Sequence, residues 1–530
     1  MKRCVKASLF HTTPPPPSEG RPCSFSRRLA AIAAVMVAAL VAPIAAHAEG
    51  TVSHVGRWFT DEQGRVLIFH GGVVDLCGNS NAPFDLASDP ASLESAGFNS
   101  IKIGVAWNAI EPEPGVYDDV VLGRVLEVQQ AFWSHGIYAT LDICGGGAAW
   151  THIDTGQYSV PGGGGLRVDD PTHILSNGIF PVFNQQEQNF LDNIPGPGGV
   201  GLQDRFAAMA THFAAFFHDS PGLSGYSLVN EPVPGSETQF QGNGPEGNVI
   251  FEVDQLAPFY RKVFAAFREA DPTTLIHYEP NANFNLGYSP SWIPYLGDPN
   301  LVFDYHCYVC GPASLASLLP PGSTRADEAQ VVADRNDAPA FMAEQGFFTG
   351  SGPQLDIADA AMHGWNYWAY SSGSRFNTSS TDSWARPYPR AIAGTPTGWS
   401  FDTNSKTFTF SYDTTQPDGT VGTATTDVFL PKLVYTNGYA FSVLDGAEVV
   451  GTDIDDQLLH FQAYPGATTV TMTVVPLPEP GSVLGLAGGA ALLAGLRRRL
   501  RGVASHSTRS PKLGRRNSLY PATHNSLGIC

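Results

Sequence analysis

Eight short apolar runs alternate with stretches of helical period between Thr51 and about Ser371. The runs predict strands at Val66–Phe69, Ser100–Gly104, Ile137–Asp142, Gly225–Asn230, Leu275–Tyr278, Leu301–His306, Ala340–Ala343 and Trp365–Tyr370. Between several of them lie amphipathic segments, among them Val120–His135, Asp204–His218 and Leu256–Glu269. Uncharged runs suit strands covered on both faces, which is the condition of a parallel sheet. Eight alternations over this length favour a (β/α)8 TIM barrel over an open doubly wound sheet. No Gly-rich dinucleotide fingerprint follows the first strand, which removes the main rival.

After Pro387 the period shortens to two. Thr407-Phe-Thr-Phe-Ser-Tyr412 puts Phe408, Phe410 and Tyr412 on one face, and Asp445-Gly446 supplies a turn after Tyr439–Leu444. Further runs at Thr426–Leu430, Leu458–Tyr464 and Thr468–Val475 complete a small C-terminal β-sandwich. The Gly/Pro-rich stretch from Thr151 to Leu202 is long for a connection, and reads as a lid or binding loop or as a merely mobile insertion.

Two of the barrel runs end on a carboxylate. Gly225-Tyr-Ser-Leu-Val-Asn-Glu-Pro232 delivers Glu231, and Pro339-Ala-Phe-Met-Ala-Glu-Gln-Gly346 delivers Glu344. In a barrel the strand C-termini form one face, so two glutamates 113 positions apart would converge there. Such a pair suits cleavage of a sugar acetal, which takes one proton donor and one nucleophile or base. Glu279, at another strand end before Pro280, is a competing carboxylate. For any single Glu the alternative is a helix cap or a solvated loop.

The chain ends look unlike its body. Arg27 and Arg28 precede an apolar run from Leu29 to Ala45, with Ala46-His-Ala48 at cleavage spacing, so residues 1–48 read as a signal peptide; a retained anchor is the alternative. The body is 49–388 as barrel and 389–475 as sandwich, and 476–502 and 503–530 follow as a short apolar segment and a basic disordered tail. The formal charge is −19, yet the two ends carry basic excess, so the part between them is more acidic still. That field repels phosphate backbones, which argues against a nucleic-acid partner and for a neutral substrate. Cys77, Cys144, Cys307 and Cys310 lie in the body, and an exported chain could pair them in three ways. Cys307-Tyr-Val-Cys310 has metal-like spacing, but no second close pair accompanies it, which favours disulfides.

Asn230-Glu231-Pro232, Glu344, His306-Cys-Tyr308 and Asn366-Tyr-Trp368 occur in an order that resembles glycoside hydrolase family 5. Gly97-Phe-Asn99 leading to Trp107, Ile110-Glu-Pro-Glu-Pro-Gly115, Leu256-Ala-Pro-Phe-Tyr260 and Pro389-Arg-Ala-Ile-Ala-Gly-Thr-Pro396 are similar to its endoglycoceramidase-like branch, over about residues 51–475. The resemblance implies an exported retaining β-glycosidase acting on a glycolipid or another β-glucoside, with no metal or organic cofactor needed. It also implies roles: Glu231 as acid/base, Glu344 as an ionised nucleophile, and Asn230, His306, Tyr308, Trp368 and Lys102 around the substrate. For His306 and Trp368 ordinary core packing is the alternative. Two positions depart from the family pattern: Lys102 stands where an Arg steadies the nucleophile, and Cys144 where a His contacts the sugar. They leave open a catalytically impaired carbohydrate-binding protein of the cell surface or matrix.

Pro478-Glu-Pro-Gly481, the apolar run Val483–Leu496 and the cluster Arg497-Arg-Arg499 with Arg501 resemble a PEP-CTERM sorting signal. That resemblance implies export from a Gram-negative cell, transient inner-membrane anchoring, processing by sorting machinery, and release to the surface or outside.

Overall fold

A computed structural model of the chain describes residues 50–76, 85–144, 188–232, 248–308, 310–314, 319–346, 352–368, 370, 384–444, 446–453, 457–478 and 526–529. The signal-peptide and PEP-CTERM readings, most of the 151–202 insertion, Cys77 and Asp445 lie outside them. No helix among the described residues is long and apolar enough to cross a membrane.

Three short strands come first: β1 (Ser53–Val55), β2 (Trp58–Thr60) and β3 (Val66–Leu67). Eight parallel strands then close a barrel in chain order: β4 (His70–Asp75), β5 (Ser100–Ala106), β6 (Tyr138–Cys144), β7 (Leu223–Ser227), β8 (Ile276–Tyr278), β9 (Leu301–His306), β10 (Ala340–Gln345) and β11 (Trp365–Tyr367), with β11 returning to β4. Helices cover the outside, among them α1 (Asp89–Ser95), α2 (Asp119–Trp133), α3 (Leu202–Phe217), α4 (Ala257–Ala270), α5 (Arg325–Ala333) and α6 (Gly352–Ala361). Their apolar faces meet the outward residues of the strands in one core that includes Ile101, Ile103, Leu141, Phe206, Phe213 and Phe264. The barrel floor is closed by aromatic rings, with Phe59 of β2 packed edge-on against Phe69 and Phe341.

The first barrel strand is a correction. Val66–Phe69 was the expected strand, but Val66 and Leu67 form β3 and pair outside the barrel, while His70-Gly-Gly-Val-Val-Asp75 enters it. Two glycines argue against a strand by propensity, yet the barrel requires one at position 71. A Cβ there would stand 2.0 Å from the Ser100 carbonyl oxygen and 2.5 Å from Asn366 Oδ1.

The sandwich packs a seven-stranded sheet against a second sheet. β12 (Tyr388–Ile392), β15 (Thr426–Phe429), β18 (Leu458–Ala463) and β17 (Ala447–Asp453) extend β1–β3, so the N-terminal strands belong to this sheet and not to the barrel wall. Opposite lie β13 (Thr395–Asp402), β14 (Thr407–Asp413), β19 (Thr469–Pro476) and β16 (Tyr439–Leu444). Phe408, Phe410 and Tyr412 are buried between the sheets, as their alternation predicts. β20 (Ser526–Ile529) pairs antiparallel with β16. The sandwich is tied to the barrel at Gly97, whose carbonyl accepts from Tyr388 Oη at 2.7 Å. A side chain at Gly97 would strike the Phe429 ring, so the seam itself requires glycine.

Candidate active site

Polar residues enter the barrel by alternation. In β5, Lys102 sits between Ile101 and Ile103, and in β6, Asp142 sits between Leu141 and Ile143; the apolar neighbours face the helices and the polar ones face inward. Lys102 Nζ stands 3.3 Å from Glu279 Oε1, 3.8 Å from Asp142 Oδ2 and 3.9 Å from Glu344 Oε1. Those three carboxylates, and desolvation opposing them, leave the buried ammonium firmly charged. Substrate contact by Lys102 was the expectation, but its side chain is 1% exposed. It acts on the carboxylates from beneath, and its single charge is divided among them.

His306 closes β9 and is likewise fully buried, so it lies under the carboxylates and does not wall the pocket as expected. Its Nδ1 is 2.8 Å from Glu231 Oε1 and 3.5 Å from Glu344 Oε2, and its Nε2 is 3.2 Å from Glu279 Oε1. Burial opposes protonation of the ring, but the charges of Glu279 and Glu344 outweigh it and raise its pKa well above the usual histidine value. Both nitrogens therefore carry protons, and Nδ1–H donates to Glu231. The His306 backbone N–H is held by Asn285 Oδ1 at 3.0 Å, a support not visible in the sequence motifs.

Glu231 lies beyond the end of β7 and adopts the left-handed region, with φ of 46°. That conformation is uncommon for a non-glycine residue. The Glu231 N–H donates to Glu279 Oε2 at 2.9 Å, which fixes the bend. The Glu231 side chain is 33% exposed, whereas that of Glu279 is 1% exposed. Glu279 is therefore a foundation carboxylate and no rival for a reacting bond. Its carbonyl accepts from Tyr260 Oη at 2.8 Å, which gives one sequence motif a positioning task. Burial works against its ionisation, yet the His306 and Lys102 charges bring its pKa down to about 2.

Glu344 is borne by β10, with its side chain 8% exposed at the same mouth. Tyr308 Oη donates to Glu344 Oε2 at 2.5 Å, and the Cys307 backbone N–H donates to the Glu344 carbonyl at 2.9 Å. Burial, together with the Glu344 and Glu231 charges, raises the Tyr308 pKa well above the usual phenol, so the hydroxyl keeps its proton. Burial pushes Glu344 up to about 7, with His306 and Lys102 opposing and Glu231 and Glu279 adding. The resemblance implies an ionised Glu344, and the divided charge of Lys102 does not offset its burial. Asp142 is raised to about 6, chiefly by burial.

The remaining expected contacts ring this pair. The Asn230 Oδ1 atom is buried with no hydrogen-bond partner among the described residues. Trp368 is half-buried, edge-on to Tyr308 with ring centres 6.4 Å apart. Cys144 ends β6, but its side chain lies outside the described residues. Cys307 and Cys310 form a disulfide, one of the open pairings. Other motif residues serve the scaffold: Glu111 is fully buried, accepting from Trp107 Nε1 at 2.8 Å and Arg205 at 3.2 Å.

Six strands thus bring Lys102, Asp142, Glu231, Glu279, His306 and Glu344 to the C-terminal end of one barrel, where TIM-barrel enzymes do their chemistry. Residues 386–474 match the glycoside hydrolase family 5 C-terminal domain. Endoglycoceramidase I of Rhodococcus hoagii is 26% identical over 473 residues, covering 82% of this chain and 89% of that protein. An endoglycoceramidase of Cyanea nozakii is 24% identical over 533 residues, covering 84% and 98%. The solved ganglioside GM3 complex of endo-glycoceramidase II from Rhodococcus sp. superposes with a TM-score of 0.62 at 23% identity, covering 79% of this chain and 99% of that one. The chain is a glycoside hydrolase. Within that class its likeness runs to the endoglycoceramidase-like branch of family 5.

Proposed function

We propose that the protein is an exported retaining β-glycosidase that cleaves the bond between a sugar and an apolar aglycone, as in a glycosylceramide. One observation carries the reading. A single nitrogen of His306 lies 2.8 Å from Glu231 Oε1 and 3.5 Å from Glu344 Oε2, so the two carboxylates gather on one ring at the barrel mouth, the close pairing that a retaining glycosidase uses. Such nearness supports direct attack by one of them on the anomeric carbon.

Glu231 gives a proton to the leaving glycosidic oxygen while Glu344 attacks the anomeric carbon. The aglycone departs as its alcohol and a glycosyl ester forms on Glu344. Glu231, now a carboxylate, takes a proton from water; the water oxygen displaces Glu344 and the sugar is released. Tyr308 holds Oε2 of Glu344 in the ground state. The unpartnered Asn230 Oδ1 suits a sugar hydroxyl donor. The named relatives support a glycolipid as the substrate, and the endoglycoceramidase II complex holds a ganglioside. Residues 1–48 and the Pro478 segment support export, inner-membrane anchoring and release.

The test is turnover by the purified protein of aryl β-glucosides and glycosylceramides, with proton NMR of the first-formed sugar. Release of the β-anomer is expected. Absence of turnover on every β-glycoside, or first release of the α-anomer, would overturn the reading. Sugar binding without hydrolysis would place the chain among binding proteins.

A further inference from the structure

The Cys307–Cys310 bridge closes a four-residue ring at the end of β9, and Tyr308 lies inside that ring. Two hydrogen bonds to Glu344 come from this segment: the Cys307 N–H on its backbone carbonyl and the Tyr308 hydroxyl on its carboxylate. The segment is docked further by Gln354 Nε2, which donates to the Tyr308 carbonyl at 3.3 Å. A ring this small removes less loop-closure entropy from the unfolded chain than a long loop would, so global stability is a weak reason for the bridge. Fixing the direction of one side chain is a stronger one, since a phenol with the wrong backbone heading loses a hydrogen bond about 2.5 Å long altogether.

We propose that the Cys307–Cys310 disulfide is a positioning element that holds Tyr308 against Glu344, so that full activity belongs to the oxidised protein. The inference rests on the reading of Glu344 as the nucleophile. Cys307 is fully buried and Cys310 half-buried, so a dithiol reductant enters at Cys310. Its thiolate attacks the Cys310 sulfur, the S–S bond breaks and Cys307 leaves as thiolate and takes up a proton. The second thiol of the reductant then resolves the mixed disulfide. The reductant ends as a disulfide, and Cys307 and Cys310 end as thiols, having gained two electrons and two protons. Freed of the ring, Tyr308 no longer favours the ionised form of Glu344. The other groups facing Glu344 (Lys102, His306, Glu231 and Glu279) stand on other elements or precede the ring, and stay in place.

The experiment compares oxidised protein, protein treated with dithiothreitol and the Cys307→Ser/Cys310→Ser variant, each in wild-type and Tyr308→Phe backgrounds, with peptide mapping to verify the bridge. Circular dichroism checks that the barrel stays folded. In the Tyr308-bearing protein, reduction is expected to lower kcat about 10-fold or more, leave KM nearly unchanged, move the acidic limb of the pH–rate profile upward, and be reversed by reoxidation. In the Tyr308→Phe background reduction should change nothing further, because the handle is already gone. An equal, additive loss in both backgrounds would assign the bridge a merely structural role and overturn the proposal, as would unchanged kcat and pH limb after verified reduction. If the oxidised protein turns over no β-glycoside, carbon-13 NMR titration of Glu344 still decides. An upward move of its pKa on reduction supports the positioning role, and an unmoved titration overturns it.

Discussion

The imidazole of His306 donates to the Glu231 carboxylate at 2.8 Å from a position with no solvent access. A partly exposed acid is thus tethered to a buried cation, and that cation in turn stands on Glu279. The layers have different tasks: Lys102, Glu279 and Asp142 below balance charge, and Glu231 and Glu344 above are open to a sugar.

Glu231→Gln should lower kcat on glycolipids about 10²–10⁴-fold, the usual worth of a placed proton donor. On aryl glycosides with acidic phenols the first step should survive, because such a leaving group departs without protonation. Glu344→Gln should abolish both. Steady-state and burst kinetics on the two substrate types check the pattern.

Activity should rise with pH through about 7. Glu344 attacks only when ionised, and burial raises its pKa to about 7, so kcat/KM falls below that value as the carboxylate takes up a proton. The stability signs are opposite for two neighbours. Glu344 binds its proton more tightly folded than unfolded, so between about 4.5 and 7 its ionisation weakens the fold as pH rises. Glu279, held at about 2, stabilises the fold above about 4.5, and this is lost as pH falls toward 2. A pH–rate profile and urea unfolding across pH measure both.

Lys102→Met keeps the volume and removes the charge that three buried carboxylates share. The loss should be about 3–5 kcal/mol, the range for breaking a buried ion pair from one side. Lys102→Arg should keep the balance of charge. Chemical denaturation of the purified variants reads the difference.

Gly71→Ala should destabilise by about 1–3 kcal/mol or more, since its methyl group would overlap the Ser100 carbonyl. Gly123→Ala, in the middle of α2 where a methyl meets nothing within 4 Å, should instead stabilise by about 0.5–1 kcal/mol. Thermal unfolding of the pair separates a packing requirement from a helix-propensity effect.

Much of this architecture is written in period and punctuation. Leu301–His306 matches β9 residue for residue, and Ser100–Gly104 and Ala340–Ala343 lie within the observed strands, because runs buried on both faces leave an unmistakable apolar trace. Phe408, Phe410 and Tyr412 likewise declare a two-residue period and a covered face. Glu231 and Glu344 could be selected because each ends such a run. What the chain could not declare by itself was anything that depends on a distant neighbour. His70–Asp75 carries two glycines that give no strand signal, and only Ser100 and Asn366 show why position 71 demands one. Val66–Phe69 reads as the first barrel strand until β12 supplies Val66 and Leu67 with a different partner. Lys102 and His306 looked like residues that touch a ligand; only folding buries them, turning one cation toward three carboxylates and the other toward the pair above. Local pattern determines which residues are strand, helix and strand end, because those depend on neighbours a few positions away. Whether a charged group meets solvent or another charge depends on residues far away in the chain, on other strands, and only the closed barrel decides it.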